Sequence, residues 1–242
     1  MDLLDRLPHT HPLGKLLRLP LRLIPRDAVV PILSGTARGL RWIIGSGPQS
    51  CWLGINEPAK RRVFAAHVAP GDVVYDIGAN VGSYTLPASV LVGSHGSVIA
   101  FEPLPDNLAY LTRHIALNHL DNVRVIEAAV WSSTGELRFQ GTADRVTSHA
   151  SDAGKITVKA VAIDALVSAG EIPPPDCIKI DVEGAEADVL RGAMSTLSEH
   201  RPVILLATHG AERTVECREL LEELGYGLKP IDAGDDEFIA EV

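Results

Sequence analysis

Residues 72–82 read DVVYDIGANVG, a short apolar run that closes on an acid, Asp76, and then on Gly78-Ala79-Asn80-Val81-Gly82. A run of this length, rich in β-branched residues and bounded by glycine, marks a buried strand over Asp72–Ile77. The two glycines permit positive φ and let the backbone approach a ligand closely, and the helix that follows offers unpaired N–H groups. Two readings fit the turn taken alone: a nucleotide-type binding loop, or a tight strand-to-helix connection with no ligand.

Working outward, the pattern alternates. A helix is predicted over 59–68, and strands over Ser97–Phe101 (SVIAF) and Val123–Val130 (VRVIEAAV) flank a helix over 105–118. Strand and helix in alternation imply a parallel sheet. Residues 135–161 interrupt it with two polar, β-prone pieces, Glu136–Gln140 and Lys155–Val161, read as an antiparallel excursion. The alternation resumes with Cys177–Ile180 (CIKI), a helix near 185–198, Val203–Ala207 (VILLA) and a helix near 212–224. Segments 226–231 and 237–242 read as a terminal strand pair. The fold class is therefore α/β, with five parallel strands and a closing hairpin. Six prolines between Pro8 and Pro48 break the first 50 residues into short helical pieces and turns. The chain accordingly divides into an N-terminal extension, 1–58, and a main domain, 59–242.

Composition narrows the class. With 242 residues, 46% hydrophobic and 22% charged, disordered, collagen-like and disulfide-scaffold readings fall. A net charge of −9 argues against nucleic acid as a partner. The charge is uneven: residues 1–62 hold ten basic against four acidic side chains, and the remaining 180 hold 12 against 27. Residues 13–26 alternate leucine or isoleucine with lysine or arginine, a pattern suited to an anionic membrane surface or to packing on the main domain. Cys51, Cys177 and Cys217 are odd in number and widely spaced, which suggests reduced thiols and a cytoplasmic protein. No apolar window is long enough for a membrane span.

The second strand ends in Glu102-Pro103, twenty residues after Gly82. An acid there is suited to both hydroxyls of an adenosine ribose. A dinucleotide enzyme would carry Gly-x-Gly-x-x-Gly, whereas this chain has Asn80 within the turn and Asp76 before it. A carboxylate repels a pyrophosphate but attracts a ligand that carries an ammonium and a sulfonium.

Three blocks, VVYDIGANVGSYTL (73–86), VIAFEPLPDNLAYL (98–111) and IKIDVEGAEADVLRGA (178–193), closely resemble the FkbM family of S-adenosylmethionine-dependent methyltransferases. The likeness runs over about residues 35–228. It implies a class I methyltransferase fold, a Rossmann-like seven-stranded sheet with helices on both faces and one antiparallel strand. It also implies methyl transfer to a hydroxyl of a sugar, glycoside or other small acceptor, with S-adenosylhomocysteine as product.

On that resemblance Asp76 sits by the amino-acid end of S-adenosylmethionine, Gly78 and Gly82 give it room, and Asn80 offers an amide to its carboxylate. Glu102 and Pro103 lie at the ribose, and Ala129, in Glu127-Ala128-Ala129 at the third strand end, either leaves space for the adenine or simply packs within its strand. Asn107 reads as a helix cap or as a cofactor contact. Asp181 and Glu183 end the fourth parallel strand, one for the methionine portion and one for the acceptor hydroxyl. Glu186 and Asp188 read as acids that complement a helix dipole. His209, after the fifth strand, is the first choice for a general base, because an imidazole suits proton removal from a hydroxyl at neutral pH; helix capping is the alternative. At Ala207 many relatives carry an acid. A divalent metal on Asp181, Glu183 and His209 is chemically possible, but nothing in the spacing requires one. Trp52 and Glu57 are candidate acceptor contacts, with apolar anchoring the simpler account of Trp52. The competing functions are a non-catalytic protein that keeps the cofactor fold and docks through its basic N-terminus and, more weakly, a nicotinamide oxidoreductase, which Asp76 and Asn80 oppose.

Overall fold

The computed structural model describes residues 24–140, 149–150, 156–232 and 236–242. The chain separates into two compact units, Met1–Asn56 and Glu57–Val242. In the first, β1 (Val29–Pro31) pairs antiparallel with β2 (Arg41–Ile43), Val30 opposite Trp42, and α1 (Gln49–Leu53) follows. Among the described residues the expected helical pieces and turns are present, in α1 and a 3-10 turn over Ile44–Ser46, and the strand pair is an addition that the sequence reading did not make. Val-Val-Pro and Arg-Trp-Ile are β-prone, and Pro31 is tolerated on the edge of a two-stranded sheet. Helix α1 stops at Gly54, φ +74°, where a Cβ would stand 2.1 Å from the carbonyl oxygen of Ser34. The membrane-surface expectation for residues 13–26 lies outside the described residues as far as residue 23.

The second unit runs through α2 (Pro58–Ala66), β3 (Val73–Ile77), α3 (Thr85–Val92), β4 (Ser97–Phe101), α4 (Pro105–Asn118), β5 (Val123–Ile126), β6 (Ala129–Val130), β7 (Gly135–Gln140), β8 (His149–Ala150) and β9 (Ile156–Val161). It continues with α5 (Ile163–Ser168), β10 (Cys177–Ile180), α6 (Glu186–Arg191), α7 (Met194–His200), β11 (Val203–Ala207), α8 (Ala211–Glu223), β12 (Gly227–Pro230) and β13 (Glu237–Glu241). The main sheet has the order β12-β13-β11-β10-β3-β4-β5, and β13 alone runs antiparallel to its neighbours. This is the seven-stranded class I methyltransferase sheet. The excursion over 135–161 forms a separate sheet, β6-β9-β7-β8, with β7 antiparallel to β9.

Strand alternation sorts the core into two layers. Tyr75, Ile77, Ile178, Ile180, Ile204 and Leu206 face one cluster, while Val74, Cys177 and Leu205 face the other with Phe64, Tyr84 and Val92. Two sequence expectations change. Val123–Val130 is not one strand: the chain turns at Ala128, whose N–H donates to Ile126, and β6 joins the second sheet. The helix near 185–198 is two helices. A Cβ on Gly192 would lie 2.0 Å from the carbonyl oxygen of Trp131, so close backbone approach places a glycine there, and glycine weakens helix continuity. Among the described residues no helix is long and apolar enough to cross a membrane.

Candidate active site

The turn after β3 takes the form its sequence demands. Gly78, Asn80 and Gly82 all have positive φ, +77°, +51° and +100°. Asparagine tolerates the left-handed region better than most non-glycine residues. Gly78 is required by a neighbour: a Cβ would fall 2.0 Å from the backbone oxygen of Asp181. At Gly82 the space is occupied by Leu86 and Leu111, each 3.0 Å from an added Cβ. Gly82 thus packs against Leu86 and Leu111 and is not among the residues lining the pocket beside this turn.

Next to this turn opens a pocket at the C-terminal ends of β3, β4 and β10, lined among others by Gly78, Asn80, Glu102, Pro103, Ala129 and Asp181. Glu102 is 4% exposed. Its carboxylate accepts the N–H of Asn80 at 2.8 Å, the N–H of Leu104 at 2.9 Å and Nδ2 of Asn107 at 3.2 Å. Burial raises its pKa against the opposing pull of these donors. Asn107 is not a cap; Leu104 occupies the N-cap of α4 with no side-chain cap bond. It lines the pocket instead, and its buried Oδ1 has no hydrogen-bond partner.

Asp76 lies one residue out of phase with the pocket. Its side chain shares the face of Val74, where Thr85 Oγ1 donates to Oδ2 at 2.6 Å and Lys179 Nζ stands 3.2 Å from Oδ1. The parallel register places Lys179 directly beside Asp76. Lys179 also donates to the carbonyl of Gly78 at 2.8 Å, bracing the turn. Asp76 therefore neutralises a lysine beneath the turn and is not among the pocket's lining residues. The sequence reading missed Lys179. The signal was available: a lysine inside the buried run CIKI needs an acid on the adjacent strand.

The ends of β10 and β11 carry a second group of charges. His209 Nδ1 lies 2.7 Å from Oε1 of Glu186, and its Nε2 lies 3.9 Å from Asp181 Oδ1 and 3.8 Å from Glu183 Oε2. The bond to Glu186 raises the His209 pKa; burial opposes it, and Glu183 and Asp181 add to it. Glu186, assigned to the helix dipole from sequence, is fully buried against His209. Asp181 also accepts from Lys60 Nζ at 3.3 Å, and Lys60 reaches Glu57 at 3.4 Å and Glu237 at 3.1 Å. Burial alone would lower the Lys60 pKa and raise that of Asp181. The carboxylates around Lys60 reverse the first, and Lys179, Lys60 and His209 reverse the second, so Asp181 is held below the usual carboxylate range. Glu237 lies opposite Ala207 in the β11–β13 register and brings an acid to this strand end from the neighbouring strand.

Residues 76–228 match the family model described as the methyltransferase FkbM domain. The chain belongs to the FkbM methyltransferase family. A hexuronic acid methyltransferase of Haloferax volcanii is 30% identical over 178 residues, covering 73% of this chain and 72% of that protein. A 2-O-methyltransferase of Sinorhizobium fredii is 26% identical over 173 residues, covering 61% and 70%. Among solved structures, the methyltransferase FkbM of Methylobacillus flagellatus superposes with a TM-score of 0.54 at 17% identity over 81% of this chain, which spans 56% of that one. A precorrin-6y C5,15-methyltransferase of Geobacter metallireducens gives 0.51 at 18% identity, covering 78% and 89%. At these identities the structures support the fold.

The pocket of this FkbM chain suits the family's methyl donor, S-adenosylmethionine. Phe101, Leu104 and Ala129 give an apolar wall for a ring, the unpartnered Asn107 Oδ1 accepts a donor group, and Asp181 and Glu183 attract positive charge. Of the two candidate acceptor contacts, Glu57 begins α2 as its N-cap and pairs with Lys60, while Trp52, 5% exposed, lies on α1 of the other unit. Among the described residues no group of three or more His, Cys, Asp or Glu side chains is arranged to hold a metal ion.

Proposed function

We propose that this S-adenosylmethionine-dependent methyltransferase acts on a sugar hydroxyl, with His209 as general base. The observation that carries the reading is the position of His209: its Nε2 lies beside Asp181, a residue that also lines the cofactor pocket. The two curated relatives, named for a hexuronic acid and for a 2-O-methyl product, support a carbohydrate acceptor.

When bound, S-adenosylmethionine supplies an electrophilic methyl group on a sulfonium. Glu102, oriented by Asn80, Leu104 and Asn107, would accept the hydrogen bonds of a ribose diol, and Asn80 and Asp181 would hold the amino-acid end. Phe101, Leu104 and Ala129 exclude water from the ring. The imidazole takes the acceptor hydroxyl proton at Nε2 as the oxygen becomes nucleophilic, and Asp181 and Glu183 offset the charge it gains. Asp76 acts at one remove, through Lys179 and the Gly78 carbonyl. Glu57, beside Lys60, is assigned to the acceptor side of the main domain.

The test is methyl transfer from labelled cofactor to a panel of hexuronic acids, neutral sugars and their glycosides. His209→Ala should lower turnover by about a hundredfold with cofactor affinity intact. Undiminished turnover would remove His209 from catalysis. Transfer confined to non-carbohydrate acceptors would remove the sugar.

A further inference from the structure

Glu186 is a carboxylate in a place where a carboxylate is costly. It is fully buried, whereas an acid that serves only a helix dipole gains a few tenths of a kcal/mol to about 1 kcal/mol, and does so at the surface. Its Oε1 accepts two donors, the N–H of Gly184 at 2.9 Å and His209 Nδ1 at 2.7 Å. The backbone is bent to allow this. Glu183 and Gly184 both have positive φ, +39° and +93°, and the turn carries residue 186 back beneath the β11 terminus. The other carboxylate oxygen, Oε2, has no hydrogen-bond partner.

We propose that Glu186 is a positioning residue that keeps the His209 proton on Nδ1 and leaves the Nε2 lone pair turned toward the ends of β10 and β11. The inference rests on the reading of His209 as base. A carboxylate accepts only, so the neutral imidazole must donate from Nδ1, which makes Nε2 the basic nitrogen. The distances agree: Asp181 and Glu183 stand 3.9 and 3.8 Å from Nε2, beyond hydrogen-bond length, so neither fixes the ring as Glu186 does. The charges around His209 are Glu186 from α6 and Asp181 and Glu183 from the end of β10. Lys60 of α2 lies behind Asp181, and Arg213 of α8 interacts with Glu186. Three carboxylates stabilise the imidazolium, and Glu186 is the one in direct contact.

Three measurements on the full chain test the assignment. Glu186→Gln should lower kcat by about a hundredfold while cofactor affinity and thermal midpoint stay near those of the parent protein. In the same variant the acid limb of the kcat/KM profile, and the NMR titration of the His209 ring, should both move to lower pH by roughly one unit. The double variant Glu186→Gln, His209→Ala should be no slower than His209→Ala alone. If Glu186→Gln leaves the pH limb and the His209 titration in place while His209→Ala is inactive, the positioning role is overturned and the base survives. If His209→Ala keeps full turnover, the base reading falls first and takes this inference with it. Should Glu186→Gln fail to fold, Glu186→Asp serves: it keeps the charge at a shorter reach, so it should retain the raised titration yet lose rate, and parent-like rates would refute the geometry.

Discussion

The turn between β3 and α3 and the charged group at the ends of β10 and β11 lie on the same edge of the parallel sheet, yet they are held in different ways. Beside the turn, just after β4, Glu102 is fastened by partners 2, 5 and 22 residues away, two of them backbone N–H groups, and it is buried. At β10 and β11 the contacts join side chain to side chain across 121 and 177 residues, and Asp181 and Glu237 keep 27% and 29% exposure. A binding surface built on backbone donors is fixed as the chain folds. A cluster built on mutually compensating charges is adjustable, and its titration depends on each member.

The contrast can be broken most directly at Gly78. Gly78→Ala puts a Cβ against the Asp181 backbone at a positive φ and should cost about 4 kcal/mol, read by urea denaturation, with cofactor binding lost. A stable, cofactor-binding variant would mean that the two halves are not wedged together there. The turn is also pinned from α4. His114 is fully buried, its Nδ1 donates to the carbonyl of Val81 at 2.7 Å, and burial depresses its pKa to about 4. The unfolded chain takes up this proton near pH 6.5 and the folded one near 4, so stability is full above pH 6.5 and declines as pH falls toward 4, by about 3 kcal/mol in all. A pH series of denaturation curves on the parent and on His114→Gln checks it; the variant should lose that component of the slope.

On the other side, Lys60→Met removes a cation that faces Glu57, Asp181 and Glu237 together. The three carboxylates reach solvent, so the loss should be about 2 kcal/mol, below that for a fully enclosed pair. The Asp181 pKa should rise at the same time, visible by NMR, whereas an unmoved titration would deny that Lys60 sets it. The smallest effect is expected at Glu102→Gln, which removes charge and turns one accepting oxygen into a donor facing a backbone N–H: cofactor affinity by calorimetry should weaken about tenfold, with a stability loss of about 1 kcal/mol. A larger drop in stability than in affinity would recast Glu102 as a fold element.

The legible and illegible parts of the site follow the same division. Asp76, Gly78, Asn80, Gly82 and Glu102 stand out because strand, turn and helix follow one another within a short segment, and each residue type is demanded locally. Even there, two contacts appear only once neighbours are visible: Asp76 pairs with Lys179, and Gly82 packs against Leu86 and Leu111. Lys60, Lys179 and Glu237 were passed over because each is ordinary in its own segment, and only strand register and helix docking give it partners. Glu186 stands in the first helical turn as its sequence suggests, but its burial against His209 could not be read there, because burial is not a property of the residue.

The sequence by itself determined the order of strands and helices, the glycine turn with its acid on the next strand, and membership of the FkbM family, since periodicity and backbone demand act over a few residues at a time. Tertiary structure alone decided which charges meet. Lys60 finds carboxylates at 181 and 237, and Glu186 finds His209, because the folded sheet and the helices packed on it set side by side residues that are far apart in the chain. Electrostatic energy depends on separation in space and on burial, and neither can be read along the sequence.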